Sequence, residues 1–384
     1  MKLEEIHAQL KQLGESQSLR TRRTLNGPQG VQVTLDDSDY LSFCSNDYLG
    51  LANDPRVIAA ATEALQQYGV GSGASQMISG YSTQHASFEK ELASFLGVER
   101  VLLFSSGYLA NLGVVSALST RHSTIFSDRL NHASLIDAAK LSGAKHQRYQ
   151  HRDHQGLNHL LQKNNGTNKL ILSDGVFSME GSIAPLAELI ALKKEHHALL
   201  LIDDAHGLGV LGAKGVGSTE QLQVDPEDID VLIGTFGKAF GSSGAFVAGK
   251  HDLLEYIMQK ARSLIYTTAP PAALIAACAK SLDIIQNEPA RRARLQHNIA
   301  YYREQIKRLQ QPSLDSISAI QSIVLGDNDS VIRLSQQLAA EGILVLPIRP
   351  PTVPANSARL RITLSSEHSK ADIDRLISAL QQYL

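Results

Sequence analysis

The chain has 384 residues, of which 43% are hydrophobic and 19% charged, and its formal net charge is −2. This length predicts one large domain with a smaller one, and the near-neutral charge gives no reason to expect nucleic acid or a membrane surface as a partner. The charged N-terminus lacks the apolar run of a signal peptide, and no window approaches the ~20 apolar residues of a membrane helix. The two cysteines, Cys44 and Cys278, cannot form a CxxC site. We therefore expect a soluble, cytoplasmic protein with reduced cysteines.

The first part of the chain reads mainly as helix. Apolar residues at helical spacing predict a short amphipathic helix within residues 1–23, followed by a basic turn that contains Arg20, Arg22 and Arg23. Further helices are predicted over 55–68, where Pro55 occupies the first turn, and over 85–96, where Gly97 ends the helix.

Short apolar runs follow, with helical stretches such as 186–196 between them. None of these runs alternates polar with apolar residues, which indicates strands buried on both faces of a mostly parallel sheet. The pattern is typical of an α/β fold. The runs are 101–104, 124–126, 170–172, 199–202 and 231–233, and residues 244–249 read as a return strand.

The pattern changes after about residue 285. A charged helix over 289–309 is followed by a strand at 319–324, a helix at 331–341, strands at 343–346 and 359–363, and a final helix. Strands of alternating character beside helices predict a smaller α+β domain. We therefore expect an N-terminal segment with a short helix over 1–45, a large domain over 46–285 and a small C-terminal domain over 286–384.

Ligands of open parallel sheets collect at the carboxyl ends of the strands, so the residues found there are candidates for a site. A Ser/Gly turn after the run 101–104 opens a helix, and the N–H groups of Gly107 and Tyr108 could bind a phosphate. His132 follows the run 124–126 and could stack on an aromatic ligand; alternatively it is a helix-start histidine satisfied by backbone. Asp203 directly follows 199–202, so its carboxylate requires a cationic partner.

Lys238 follows the run 231–233 and stands among Gly234, Gly237 and Gly241. Glycines let a flat ligand approach the amine, which suits a Schiff-base lysine. The alternative is a strand-end lysine that extends into solvent, and this segment alone favours the alternative.

Pyridoxal 5'-phosphate (PLP) requires a lysine able to form an imine, a buried carboxylate, a histidine that stacks on the ring and a helix end that binds phosphate. The residues above supply all four. A metal site at Asp203, Asp204 and His206 is not expected, because no second His/Cys pair stands at ligand spacing. The sequence also lacks the nicotinamide GxGxxG spacing, the P-loop and the GxSxG elbow. A PLP-binding regulator without turnover and a nicotinamide dehydrogenase stay as alternatives from other classes.

Several motifs resemble the α-oxoamine synthases, a family of fold-type I PLP-dependent transferases with the aspartate aminotransferase-like fold. The resemblance runs from about Arg20 to the C-terminus and implies a C-acyltransferase. The motifs are SNDYLGL (45–51), GVGSGASQMISGYS (69–82), FSSGYLAN (104–111), LNHASL (130–135), DGVFSMEG (174–181), DDAHGLGVLG (203–212), GTFGKAFG (234–241) and IRPPTVP with RLRITLS (348–354 and 359–365). Two positions depart from the family pattern: Asp174 stands where Glu is usual, and Ser182 where Asp is common.

The resemblance implies a role for each matching residue. Lys238 would bind the cofactor covalently and act as general base, Asp203 would pair with the ring nitrogen, and His132 would stack on the ring. The remaining cofactor contacts implied are His206 at the phenolic oxygen, Ser178 and Thr235 in the ring-oxygen and phosphate network, and the backbone of Gly107 and Tyr108 at the phosphate.

The resemblance also implies substrates and a partner subunit. Arg361 would bind the amino acid carboxylate, although the local pattern alone favours an exposed arginine on an alternating strand. Arg20 would meet the far carboxylate of the acyl chain, with Arg22 and Arg23 as alternatives, while Asn46, Thr352 and His132 would also contact substrate. Thr267 or Thr268 would reach the phosphate of a second subunit in a homodimer with shared active sites.

The IRPPTVP stretch favours, within the family, the reaction of biotin synthesis that joins L-alanine to a pimeloyl thioester carried on acyl carrier protein or coenzyme A. A glycine-using relative such as glycine C-acetyltransferase is the alternative.

Overall fold

The computed structural model describes residues 2–16, 19–309 and 313–384. Contacts between residues divide the chain into two compact units. The large unit comprises Asn46–Ser178 and Ser182–Leu295, and the small unit comprises Met1–Ser45, Met179–Gly181 and Gln296–Leu384. The predicted three-part domain organisation stays a prediction.

The strands in chain order are β1 Leu25–Asn26, β2 Gln32–Leu35, β3 Ser38–Ser42, β4 Arg100–Phe104, β5 Thr124–Asp128, β6 Lys145–Tyr149, β7 Lys169–Asp174, β8 Leu199–Asp203, β9 Val231–Thr235, β10 Ala245–Gly249, β11 Ile320–Gly326, β12 Ile343–Leu344, β13 Pro347–Ile348 and β14 Ala358–Thr363.

The α-helices are α1 Leu3–Glu15, α2 Pro55–Tyr68, α3 Thr83–Leu96, α4 Gly107–Leu118, α5 Ala133–Leu141, α6 His154–Gln162, α7 Leu186–His196, α8 Ser218–Gln221, α9 His251–Lys260, α10 Arg262–Ile265, α11 Ala272–Asn287, α12 Pro289–Arg308, α13 Asn328–Ala340 and α14 Lys370–Tyr383. Within the described ranges, no helix combines the length and the apolar character that crossing a membrane requires.

The large unit is built on a seven-stranded sheet in the order β4-β10-β9-β8-β7-β5-β6. Strands β5 to β9 pair in parallel, and β10 runs antiparallel to both β4 and β9, as predicted for a return strand. The apolar side chains of β4, β5, β7 and β9 are buried against helices such as α4 and α5, which explains why these strands do not alternate. The predicted mostly parallel sheet is confirmed.

The parallel arrangement places the ends of β5, β7, β8 and β9 at one edge of the sheet. Asp174 and Asp203 end β7 and β8, and the segments that follow β5 and β9 carry His132 and Lys238. The sheet is therefore the element that brings the predicted site residues of the large unit together.

The small unit contains two sheets, β1-β2-β3-β12 and β11-β14-β13. The predicted alternation of its strands is wrong for β14, which is buried at every position because it is the central strand of its sheet and packs against α13. The predicted strand 343–346 is also too long. It ends at Leu344, because β12 pairs with β3 whereas the chain from Pro347 joins β14 in the other sheet.

Candidate active site

A cavity of about 180 Å³ lies within the large unit at the carboxyl edge of the sheet. Every residue that the sequence predicts to contact the cofactor of its own subunit lines it. The lining residues are Gly107, Tyr108, His132, Ser134, Asp174, Val176, Ser178, Asp203, Ala205, His206, Thr235 and Lys238.

One wall of the cavity is the first turn of helix α4. Ser106 caps the helix, since its Oγ accepts a hydrogen bond from the Leu109 N–H at 3.3 Å, and the first backbone bond runs from Ala110 N to Ser106 O. The N–H groups of Gly107 and Tyr108 precede that bond and point out of the helix end. A Cβ at Gly107 would meet only the Thr235 Cβ, at 3.8 Å. The turn therefore offers two N–H groups and open space to an anion.

His132 caps helix α5, and its ring lines the cavity. Its Nδ1 lies 2.7 Å from Ser134 Oγ and accepts from the Ser134 N–H at 3.3 Å, while its own backbone N–H donates to the Asp174 carboxylate at 3.2 Å. Burial lowers the pKa of His132 from its ordinary value, against the raising effect of the nearby Asp203 charge. His132 thus stands at a helix start, as the alternative expected. Its ring nevertheless lines the cavity, where it can contact a ligand.

Asp203 ends strand β8 and is 8% exposed. Its Oδ2 accepts a hydrogen bond from Asn111 Nδ2 at 2.7 Å and its Oδ1 accepts one from the Ala205 N–H at 3.1 Å. Both of these donors are neutral groups. The buried carboxylate is thus oriented by the protein, and a cation in the cavity would supply the charge complement that the sequence predicts.

Lys238 lies in a tight turn beyond β9 rather than at the end of the strand itself. The turn is closed by hydrogen bonds from Phe236 N to Gly244 O and from Gly241 N to Lys238 O. Gly241 has φ +63°, and a Cβ there would lie 2.2 Å from Ala52 N, so both its conformation and its packing require glycine. Lys238 lines the cavity, which favours the imine-forming interpretation over a solvent-directed lysine.

His206 belongs to a second hydrogen-bonded group in the large unit. Its Nδ1 lies 2.6 Å from the hydroxyl of the fully buried Tyr48, and that hydroxyl lies 3.2 Å from Asn46 Oδ1. The predicted substrate residue Asn46 is therefore linked to the predicted cofactor residue His206 through Tyr48.

The other predicted substrate residues belong to the small unit. Arg20 and Thr352 line a separate cavity of about 490 Å³ within that unit. Arg361 lies on β14, is 9% exposed and donates from Nη1 to Thr363 Oγ1 at 3.0 Å. The expectation of an exposed arginine from the local pattern is wrong, because β14 is buried along its whole length.

Arg22 and Arg23, the alternatives to Arg20, differ in their contacts, and one of the two threonines predicted to reach a second subunit contacts the glycine loop. Arg23 pairs with Asp36 at 2.9 Å and lies over the Tyr40 ring, whereas Arg22 is exposed. In the large unit, Thr268 forms a β-bridge with Ser75 of the glycine loop.

A family model, aminotransferase class I and II, matches residues 38–380. The chain belongs to this family. Two relatives in the family are named 8-amino-7-oxononanoate synthase: one from Nitrosococcus oceani, 49% identical over 96% of this chain and 98% of its own, and one from Herminiimonas arsenicoxydans, 50% identical over 94% of each.

Solved structures of the family are also similar. Serine palmitoyltransferase from S. paucimobilis, solved with a bound PLP–myriocin aldimine, superposes with a TM-score of 0.93 at 29% identity, covering 99% of this chain and 96% of its own. The 8-amino-7-oxononanoate synthase from Francisella tularensis gives 0.78 at 34% identity, covering 90% of this chain and 98% of its own. The predicted resemblance and the fold-type I class are confirmed.

The sequence did not predict several residues that contact the predicted site residues. Asn111, Ser134 and Tyr48 contact the predicted residues directly, and each stands in a motif quoted for the resemblance, which was the available signal. The sequence offers Asp174 after the run 170–172 and marks it as a departure from the family pattern, without a role in the site. It is 3% exposed, and its pKa is raised well above the ordinary value by burial and by the adjacent Asp203 charge. Its carboxylate accepts the hydrogen bond from the His132 backbone N–H and so holds the start of helix α5 at the cavity.

Proposed function

We propose that the protein catalyses the PLP-dependent, decarboxylative condensation of L-alanine with a pimeloyl thioester to give 8-amino-7-oxononanoate, a step of biotin synthesis. The observation that carries this proposal is the near 50% identity, over nearly the full length, to relatives named for that product. The cavity supports it, since its lining has the chemistry that the cofactor needs.

The fit to PLP rests on three features of the cavity. A helix N-terminus with exposed N–H groups at Gly107 suits the phosphate. The buried Asp203 carboxylate, oriented by neutral donors, suits a protonated ring nitrogen. The amine of Lys238 lines the same cavity and suits the aldehyde.

When bound, PLP supplies an electron sink that stabilises negative charge at the α-carbon of the amino acid. The residues of the chain bind, orient and move protons around it. Asp203 would hold a proton on the ring nitrogen, Lys238 Nζ would take the α-proton as general base, and His132 would pack on the ring. His206, Ser178, Thr235 and the backbone of Tyr108 complete the proposed contacts with the cofactor.

For the substrates, we propose that Arg361 binds the alanine carboxylate through its guanidinium fork and that Arg20 binds the far carboxylate of the pimeloyl chain. The burial of Arg361 supports the first assignment, because a buried guanidinium is pre-oriented. The proline-rich cavity that Arg20 and Thr352 line supports the second, because it joins apolar walls to a cation. Asn46 and His132 are proposed to contact the amino acid.

We further propose a cytoplasmic homodimer with shared active sites. The glycine loop of the large unit exposes apolar side chains, including Val70 at 82% and Ile78 at 80%, and the nearby Tyr266 is 70% exposed. A second copy of the chain would cover this surface, and Thr267 or Thr268 beside the loop would reach the phosphate bound by that copy. Both cysteines are free, in keeping with a reducing compartment.

The test is a product assay by mass spectrometry with L-alanine and pimeloyl donors on acyl carrier protein and on coenzyme A. We expect 8-amino-7-oxononanoate with at least one donor and no product from the Lys238→Ala variant. Turnover of glycine with acetyl-coenzyme A, without product from either pimeloyl donor, would instead assign the chain to a glycine-using relative. PLP binding without turnover of any donor would favour the regulator.

A further inference from the structure

A chain of buried hydrogen bonds joins the cavity histidine to Asp203 through two residues without a predicted role. Asn111 Nδ2 lies 2.8 Å from Ser134 Oγ and 2.7 Å from Asp203 Oδ2. Ser134 Oγ in turn lies 2.7 Å from His132 Nδ1. Asn111 and Ser134 are each 1% exposed, so solvent does not compete for these bonds.

The direction of each bond follows from the chemistry of the groups. An amide NH₂ group can only donate, so Ser134 Oγ accepts from Asn111 and can direct its own proton to His132 Nδ1. The backbone N–H of Ser134 also points at Nδ1, at 3.3 Å, and it too can only donate. Nδ1 is therefore an acceptor, and in the neutral ring the proton resides on Nε2.

Burial of the Asn111 side chain has a free-energy cost, which the two hydrogen bonds donated by its NH₂ group must offset. Its Oδ1 is buried without a hydrogen-bond partner among the described residues, and an unpaired buried carbonyl is unfavourable. An apolar side chain of similar size would avoid this cost. Its presence is explained by its NH₂ group, which serves Asp203 and Ser134 at the same time.

We propose that Asn111 and Ser134 are positioning residues that hold His132 as its neutral Nε2–H tautomer and fix the orientation of the Asp203 carboxylate. His132 then offers a hydrogen-bond donor, not a proton acceptor, to ligands in the cavity. This inference rests on the proposed function for its consequence: an Nε2–H donor stabilises the negative charge that develops on the thioester carbonyl oxygen during acyl transfer.

The tautomer is measured by NMR on protein labelled with ¹⁵N-histidine, with the His132→Asn variant identifying the signal. We expect the Nε2–H tautomer at neutral pH, both without and with PLP. A protonated Nδ1, in either the neutral or the charged ring, overturns the proposal. This readout needs no turnover, so it is independent of whether the proposed reaction occurs.

The Ser134→Ala variant tests the contribution of the hydroxyl. We expect a changed His132 Nδ1 shift and a kcat lower by about five- to tenfold, the worth of one buried hydrogen bond, with the alanine KM within about twofold. The matched control is Ser127→Ala, since Ser127 is equally buried and its Oγ lies 2.7 Å from the ring of another histidine, His146 Nε2, outside the cavity lining. The control should change neither kcat nor the His132 signal.

The Asn111→Leu variant removes both amide bonds together with the unpaired carbonyl. We expect the same change in the His132 signal and, because Asp203 loses a donor, weaker PLP binding than in the Ser127→Ala control. Unchanged His132 signals in both Ser134→Ala and Asn111→Leu would overturn the proposal, even if both variants were less stable.

Discussion

Tyr48 does not line the cavity, but it contacts the cavity residue His206 directly. Tyr48 is fully buried and its hydroxyl lies 2.6 Å from His206 Nδ1 and 3.2 Å from Asn46 Oδ1. Removal of the hydroxyl leaves these polar atoms without that partner, which costs more than the bond itself is worth.

We predict that Tyr48→Phe lowers the free energy of unfolding by about 1–2 kcal/mol and lowers kcat/KM, measured by urea unfolding and by the product assay. Tyr302→Phe is the matched control, because the Tyr302 hydroxyl is buried without a hydrogen-bond partner in the described structure. The control should be neutral or stabilising. Equal losses in both variants would contradict the assigned role of Tyr48.

His368 in the small unit is bound as a neutral ring. Its ring stacks on Phe43 at 4.2 Å, Nδ1 accepts from Ser365 N and Nε2 donates to Ser42 O, so the fold binds the neutral ring. Burial lowers the pKa of His368 to about 4. Because the folded pKa is below the unfolded value of about 6.5, this stabilisation is complete above pH 6.5 and is lost as pH falls towards 4.

The expected loss is about 3 kcal/mol of unfolding free energy between those pH values. Urea unfolding at pH 7, 5.5 and 4 measures it, and the His368→Gln variant should show a flatter dependence. The exposed His122, changed to Gln, serves as the control. A pH dependence of His368→Gln that parallels the unmodified protein would refute the prediction.

At this scale the sequence predicted which residues line the cavity but not how they are held. Lys238 and His132 follow apolar strands and Asp203 ends one, so the topology of the sheet brings them together. Asn111 and Ser134 lie on two different helices. The periodicity of a helical sequence does not indicate which polar side chain bonds to another helix. The neutral donors to Asp203 and the buried position of Arg361 depend on packing and could not be read from local sequence.

Among the elements, the turn that carries Lys238 is tightly constrained at Gly241. Gly241 combines φ +63° with a Cβ position 2.2 Å from Ala52 N. Gly143 provides a matched comparison, because it has φ +71° but nothing within 4 Å of its Cβ position.

We predict that Gly143→Ala costs about 1 kcal/mol of unfolding free energy, the penalty of the left-handed conformation alone. Gly241→Ala should cost at least about 3 kcal/mol, because backbone must move as well, and should weaken PLP binding by displacing the Lys238 turn. Thermal or urea unfolding together with a cofactor titration measures both effects. Similar costs for the two variants would show that the approach to Ala52 is not restrictive.

The elements that sequence failed to predict share physical causes. Strand β6, with sequence KHQRY, is polar because it is the edge strand of the large sheet. Strand β13 is too short for a periodic signal, and the strand predicted over 343–346 ends at Leu344 because the chain beyond it joins a different sheet. The long helices, by contrast, have clear signals: Pro55 begins α2, and Gly97 in the left-handed conformation ends α3.

For the whole molecule, the proposed dimer makes a direct prediction. Ile78→Asp places a charge on the apolar glycine-loop surface and should shift the mass measured by light scattering from two chains towards one, with a loss of activity. Leu141→Asp is the control, since Leu141 is similarly exposed at 74% but lies at the far end of α5. Loss of the dimer in the control alone would place the interface elsewhere.

We propose above all that the cavity at the edge of the large sheet binds PLP through Lys238. The direct measurement is borohydride reduction of the protein with PLP, followed by digestion and mass spectrometry of the peptides. We predict that the phosphopyridoxyl group is attached to the peptide containing Lys238 and that the Lys238→Ala variant has no such peptide. Attachment solely to another lysine, or no attachment at all, would contradict it.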